Sequence, residues 1–188
     1  GPLRQWYGWQ FRTKLELAAE LVQWLACWTS WLHKPLWLGC DGAYAKRELL
    51  RAARKAKVVV VSRLRKDAAL HTLPSPRRAG QRGRPATYGP ERIELAKRAG
   101  QTRGWQREEM TLYGDKVVKA YKTFLATWRP AAGVIRVVLV KEERSWRAYF
   151  STDVAAKASD ILEAIGDRFT IEQVFKDVKE IWGAGQQQ

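Results

Sequence analysis

Cysteine and histidine are scarce: the 188 residues hold Cys27, Cys40, His33 and His71 and no others of either type. Two cysteines cannot build a disulfide framework, and without a C-x-x-C pair they argue against a structural zinc site. Acidic residues are few as well. There are 19 Asp and Glu against 34 Lys and Arg, a net charge of +15. That imbalance predicts a polyanionic partner, most simply nucleic acid, with an anionic membrane surface left open on charge alone. A long uninterrupted apolar run is missing. The most apolar stretch, Leu15 to Leu32, contains Glu16, Glu20 and Gln23, and charged residues are costly in a spanning helix, so no membrane span is expected. No secretory signal opens the chain, and a reducing cytoplasm fits. Methionine occurs once, at Met110, and the chain starts on Gly1-Pro2, so an upstream segment is expected to have been removed or left out. Hydrophobic residues are plentiful, at 46%, too many for a disordered chain. The length suits one domain with a real core, or one core plus a small appendage.

Periodicity predicts a helix from about Arg12 to Leu32, on which Leu17, Leu21, Trp24, Trp28 and Trp31 form one apolar stripe. Such a stripe reads as core packing. Pro35 to Cys40 is a short apolar run, a buried strand ending at Asp41. Tyr44 to Ala56 reads as a basic helix, and Lys57 to Ser62 as a strand buried on both faces, as in a parallel sheet. This alternation is α/β. Pro74 to Pro90 is rich in Pro, Gly and Arg and contains no acid, a loop or basic arm. A short helix, Glu91 to Ala99, is expected to follow. Four strands are predicted near 108–113, 116–127, 134–142 and 145–151, an antiparallel sheet inserted into the α/β frame. The tail reads as two helices, 155–165 and 170–182, the second opened by a Thr170/Gln173 capping box and burying Ile171, Val174, Val178 and Ile181.

The chemistry-bearing candidates are Asp41 and Glu172. Asp-Gly is a common turn dipeptide, and Arg168, Glu172 and Lys176 have the i,i+4 spacing of ordinary surface ion pairs. Together the two acids say more. One sits at the carboxyl end of a buried strand, where open α/β sheets place ligands. The other lies on a late helix that could pack on the same sheet. Two hard oxygen donors converging in a basic surface suit divalent-metal phosphoryl transfer. For DNA contact, the arginines of the Pro-rich loop, Arg77, Arg78, Arg82 and Arg84, are candidates; a flexible solubilising loop is the alternative.

Asp41-Gly42-Ala43-Tyr44-Ala45-Lys46, followed by Glu48-Leu49-Leu50, resembles the segment around the second catalytic Asp of DDE transposases of bacterial insertion sequences. Residues 11–18 resemble the preceding helix, and Gly83-Arg84-Pro85 with Tyr88-Gly89 a basic loop. Ser151-Thr152-Asp153 and then Arg168-x3-Glu172-x6-Lys179 resemble the C-terminal Tyr-x2-Arg-x3-Glu-x6-Lys signature. The resemblance implies a ribonuclease H-like catalytic fold with a β-rich insertion, here in partial form. It implies metal-dependent cleavage and transfer of DNA strands at insertion-sequence ends, with Mg²⁺ or Mn²⁺ as cofactor, and transposon ends and target DNA as partners. The setting it implies is a bacterial cytoplasm, at the nucleoid. Asp41 and Glu172 would be metal ligands, and Arg168 and Lys179 would contact DNA phosphates. Residues 1–66 would be the first part of the core, 67–150 the basic loop and β insertion, and 151–188 the helices carrying the Glu.

Two departures stand out. The signature Tyr position holds Ile165, and no acid precedes Glu16 to match the family's first Asp. The chain therefore reads as a fragment lacking the first strands of the fold, with weak metal binding and little strand transfer of its own. Loss of those strands predicts an exposed sheet edge, an exposed Trp-bearing helix face and self-association through it. A non-catalytic nucleic-acid-binding remnant is the alternative. A peripheral membrane protein is a third reading, disfavoured because the Trp stripe shares its helix with Glu16 and Glu20.

Overall fold

The computed structural model describes residues 11–77, 80, 82–112 and 114–181. Helix α1 (Lys14–Trp28) starts on a capping box: Thr13 accepts from the Glu16 backbone N–H, and the Glu16 carboxylate accepts from the Thr13 N–H at 2.7 Å. A single 3-10 turn (Ser30–Leu32) follows, then strand β1 (Trp37–Cys40), helix α2 (Arg47–Lys55) and strand β2 (Val59–Leu64). Two short strands, β3 (Leu70–His71) and β4 (Arg92–Ile93), flank the Pro-rich loop. After helix α3 (Leu95–Gly100) come β5 (Gln106–Leu112), β6 (Asp115–Trp128), β7 (Gly133–Lys141) and β8 (Trp146–Ser151), and last the long helix α4 (Ala158–Ile181).

The strands form one eight-stranded sheet in the order β1-β2-β8-β7-β6-β3-β4, with β5 also on β6. Only β1 and β2 are parallel; β8 is antiparallel to β2 and joins the hairpin strands to the first two. The expected antiparallel strands are thus present, but they extend the frame's own sheet instead of forming a second one. β8 buries Ala148, Tyr149, Phe150 and Ser151, which lets it sit between β2 and β7. Gly114, at φ +86°, makes the β5–β6 turn, a backbone conformation that glycine adopts without strain.

Strand alternation sorts the core into two faces. On one, Val60 and Leu64 of β2, Phe150 of β8 and Ile135, Val137 and Leu139 of β7 pack with Leu49, Leu50 and Ala53 of α2. On the other, Val61, Val138 and Tyr149 pack under Ile161, Leu162 and Ile165 of α4. Phe150, Leu49 and Leu50 are fully buried, each contributing roughly 1.5–3 kcal/mol of transfer free energy.

Several expectations need correction. The Trp stripe is not core. α1 packs on the same cluster through Ala18, Val22 and Ala26, whose small size brings it close, and this turns Trp24, Trp28 and Trp31 outward at 56–70% exposure. The tail is one helix, not two. The Thr170 hydroxyl donates back to the Gly166 carbonyl and Gln173 donates to Asp177, so neither side chain caps anything. Ile171, Val174, Val178 and Ile181 are exposed, because α4 carries them past its packing contacts with the sheet. The segment after Pro90 begins with β4 rather than helix: Leu70 and His71 pair with Ile93 and Arg92 and hold them extended.

A candidate active site at the end of the parallel strands

β1 ends at Cys40 and hands the chain to Asp41. The Asp-Gly turn forms as its composition suggests: Asp41 Oδ1 accepts from the Ala43 N–H at 2.7 Å, and the Asp41 carbonyl accepts from the Tyr44 N–H at 2.9 Å. This fixes the carboxylate at the mouth of the sheet. α4 crosses the same end of the sheet on the other side, over Gly39, where a Cβ would stand 3.3 Å from the Ala164 carbonyl oxygen and 3.7 Å from Arg168 Cβ. The absence of a side chain at 39 lets the helix lie close enough for its next turn to reach Asp41.

A cavity of about 180 Å³ opens between them, lined by Asp41, Arg63, Arg147, Tyr149, Arg168 and Glu172, with Cys40, Gly42, Ile165 and Phe169 completing its wall. Asp41 and Glu172 therefore meet at one concavity, although they come from opposite ends of the chain. Arg168 reaches Glu172 at 2.5 Å and lies over the Phe169 ring, 4.6 Å from its centroid. The Arg168–Glu172 surface pair is thus real, and it sits within the candidate site. Lys176 pairs with Glu180, not with Glu172. Burial pushes the Cys40 thiol up from its ordinary value, which keeps it protonated and a poor nucleophile.

The other sequence candidates lie elsewhere. Lys179 is exposed near the end of α4 and does not line the cavity. Arg82 and Arg84 are exposed on the loop between β3 and β4, and Arg77 there donates to the Gly83 carbonyl at 2.9 Å. Arg78 lies outside the described residues. Three lining residues escaped the sequence reading: Arg63, Arg147 and Tyr149. A trace of them is visible in hindsight, since Arg63 interrupts an apolar strand and Arg147 and Tyr149 alternate with Ala148 and Phe150.

The carboxylates of Asp41 and Glu172 are hard oxygen donors of the kind Mg²⁺ and Mn²⁺ accept, and Mg²⁺ commonly completes its shell with water. Among the described residues, no group of three or more His, Cys, Asp or Glu side chains could hold a metal ion. The donors fit such an ion as two ligands of a site.

Residues 14–188 match the transposase DDE domain. The chain belongs to that family, a class of DNA-binding recombination proteins that carry out transposition, and a ribonuclease H-like fold is what the family implies for the mixed sheet with its flanking helices. No curated protein matches the chain. Among the described residues, no helix is long and apolar enough to cross a membrane.

Proposed function

We propose that this chain is part of a DDE transposase catalytic domain acting at the ends of an insertion sequence in a bacterial cytoplasm, at the nucleoid. Asp41 and Glu172 are its metal ligands, and Arg168 and Lys179 are contacts to DNA phosphates. Residues 1–66 and 151–188 belong to the catalytic core, with 67–150 between them as the basic loop and β-rich part. The observation that carries this reading is the shared cavity of Asp41 and Glu172, a coincidence that an isolated turn and an isolated surface ion pair do not require. A divalent ion bound there would polarise the scissile phosphate and lower the pKa of a bound water. The chain's own residues supply the rest: Arg168 holds the Glu172 carboxylate in place, and the Asp41 turn fixes the opposite wall.

Two carboxylates make a weak site, and little strand transfer is expected from this chain alone. Mn²⁺-induced broadening of NMR signals tests the placement. Broadening should centre on the turn after β1 and on α4 near Glu172, and Asp41→Ala should remove it. Broadening spread over unrelated acids would end the assignment.

A second reading rests on the same lack of a three-ligand group among the described residues: a nucleic-acid-binding remnant without catalysis. It predicts duplex binding that is unchanged by Asp41→Ala and indifferent to Mg²⁺.

A further inference from the structure

The candidate site is not closed. It runs on into a second, wider cleft of about 440 Å³, and Asp41, Gly42, Arg63 and Arg147 line both. We propose that this continuous cleft is a track for a polynucleotide backbone. Arg63 and Arg147 hold phosphates at its middle, the Tyr149 hydroxyl at its inner end, and Lys46 and Lys66 at its outer end. The proposal rests on the transposase reading above and adds to it the path by which the strand enters.

Register builds the track. Arg63 on β2 pairs with Tyr149 on β8, and Leu64 pairs with Ala148. Strand alternation then puts Arg63, Tyr149 and Arg147 on one face, the face that α4 covers farther in with Ile165 and Arg168. At the middle and inner end the polar floor is therefore made by two adjacent strands, which suits a site that must hold a backbone in register with two carboxylates, while Lys46 and Lys66 at the outer end stand just before α2 and in the turn after β2.

The charge is unbalanced in a way the fold does not need. Five cations and two carboxylates line the wider cleft. Asp67 is taken up by Arg65, with contacts of 2.9 and 2.8 Å, so its charge is spent locally. Lys66 is held over the Trp146 ring, 4.8 Å from the centroid. Arg63 and Lys46 make no ion pair among the described residues. Arg147 lies 3.8 Å from Glu142 and lines both cavities. Cations gathered in a concavity repel one another, and a polyanion relieves that repulsion. The Tyr149 hydroxyl adds a neutral donor. Tyr149 lines the inner cavity together with Ile165.

Fluorescence anisotropy of a labelled short duplex, measured over a salt series, tests this. In wild type, log K should fall linearly with log salt. Arg63→Ala and Arg147→Ala should each reduce that slope by roughly 0.9. Arg147→Lys should restore the slope, and Arg147→Gln serves if the alanine variant fails to fold. Tyr149→Phe should weaken binding about fivefold with the slope unchanged, because it removes a hydrogen bond and no charge. Arg144→Ala, in the β7–β8 turn and lining a different cleft with Lys119 and Lys141, should alter nothing. If wild type binds duplex and the Arg63 and Arg147 variants keep its slope, while Arg82→Ala with Arg84→Ala lowers it, the track is wrong and the transposase reading survives. If wild type does not bind duplex at all, both fall.

Discussion

Gly39 passes beneath Ala164 so closely that a methyl group on its α-carbon would sit 3.3 Å from the Ala164 carbonyl oxygen. The clash would be with helix backbone, which cannot swing away as a side chain can. Gly39→Val should therefore lift α4 off β1, costing about 1–3 kcal/mol, and draw Glu172 away from Asp41. Thermal denaturation reads the first effect, and loss of Mn²⁺-induced broadening at the Asp41 turn reads the second. An unchanged melting temperature would show that α4 does not bear on the strand.

Removing the Glu172 carboxylate should separate stability from function. Its side chain is 56% exposed, and exposed i,i+4 pairs are worth only about 0.3–0.5 kcal/mol. Glu172→Gln should therefore melt within a degree or two of wild type while losing its share of divalent-ion binding. A large fall in melting temperature would make the Arg168–Glu172 pair structural first.

Tyr121 gives a pH signature at a distance from the candidate site. Its hydroxyl donates to the Glu108 carboxylate at 2.7 Å. That bond, with burial and the nearby negative charge, pushes the phenol pKa up to about 12. A raised pKa means the folded chain holds this proton more tightly than the unfolded one. The stabilisation is complete below about pH 10 and is lost as pH rises through about 12. Denaturant midpoints should fall across that window in wild type, and Tyr121→Phe should flatten the fall. Equal slopes in the two proteins would exclude the contact.

The outward face of α1 should cause association without contributing stability. Leu21, Trp24 and Trp28 are 64%, 56% and 67% exposed, and substitutions at exposed positions usually stay within ~0.5 kcal/mol. Trp28→Gln with Leu21→Gln should leave the melting temperature alone and shift sedimentation velocity profiles toward monomer. A substantial loss of stability in the monomer would show that the face is packed within its own chain.

These cases show what periodicity conveys. The stripes on α1 and on the second half of α4 are correctly read as apolar faces, since spacing reports which residues share a side. What covers a side is a tertiary fact. On α1 the packing duty went to Ala18, Val22 and Ala26, too small to stand out beside Trp24 and Trp28. Strands were more legible: β1, β2 and β5 to β8 lie close to their expected places because β-branched runs and turn residues bound them locally. The joining of β8 to β2 was not legible, because pairing between distant segments leaves no local mark. Thr170 and Gln173 carry the letters of a helix start in mid-helix, where the preceding turn of backbone overrides them. At the site, the resemblance picked out Asp41 and Glu172, but the basic floor between them depends on that same β2–β8 pairing.

The β2–β8 seam has a kinetic consequence. The pairing of Arg63 with Tyr149 closes a loop that contains every hairpin between them. The closure of so long a loop comes before any of its hydrogen bonds can form, and topologies dominated by distant pairings fold slowly. A nascent chain still missing β8 would present β2 with one flank bare. The concavity holding both carboxylates is thus among the last parts of the molecule to exist, and a ribosome stalled before Trp146 would hold a polypeptide with no floor on which to set a phosphate.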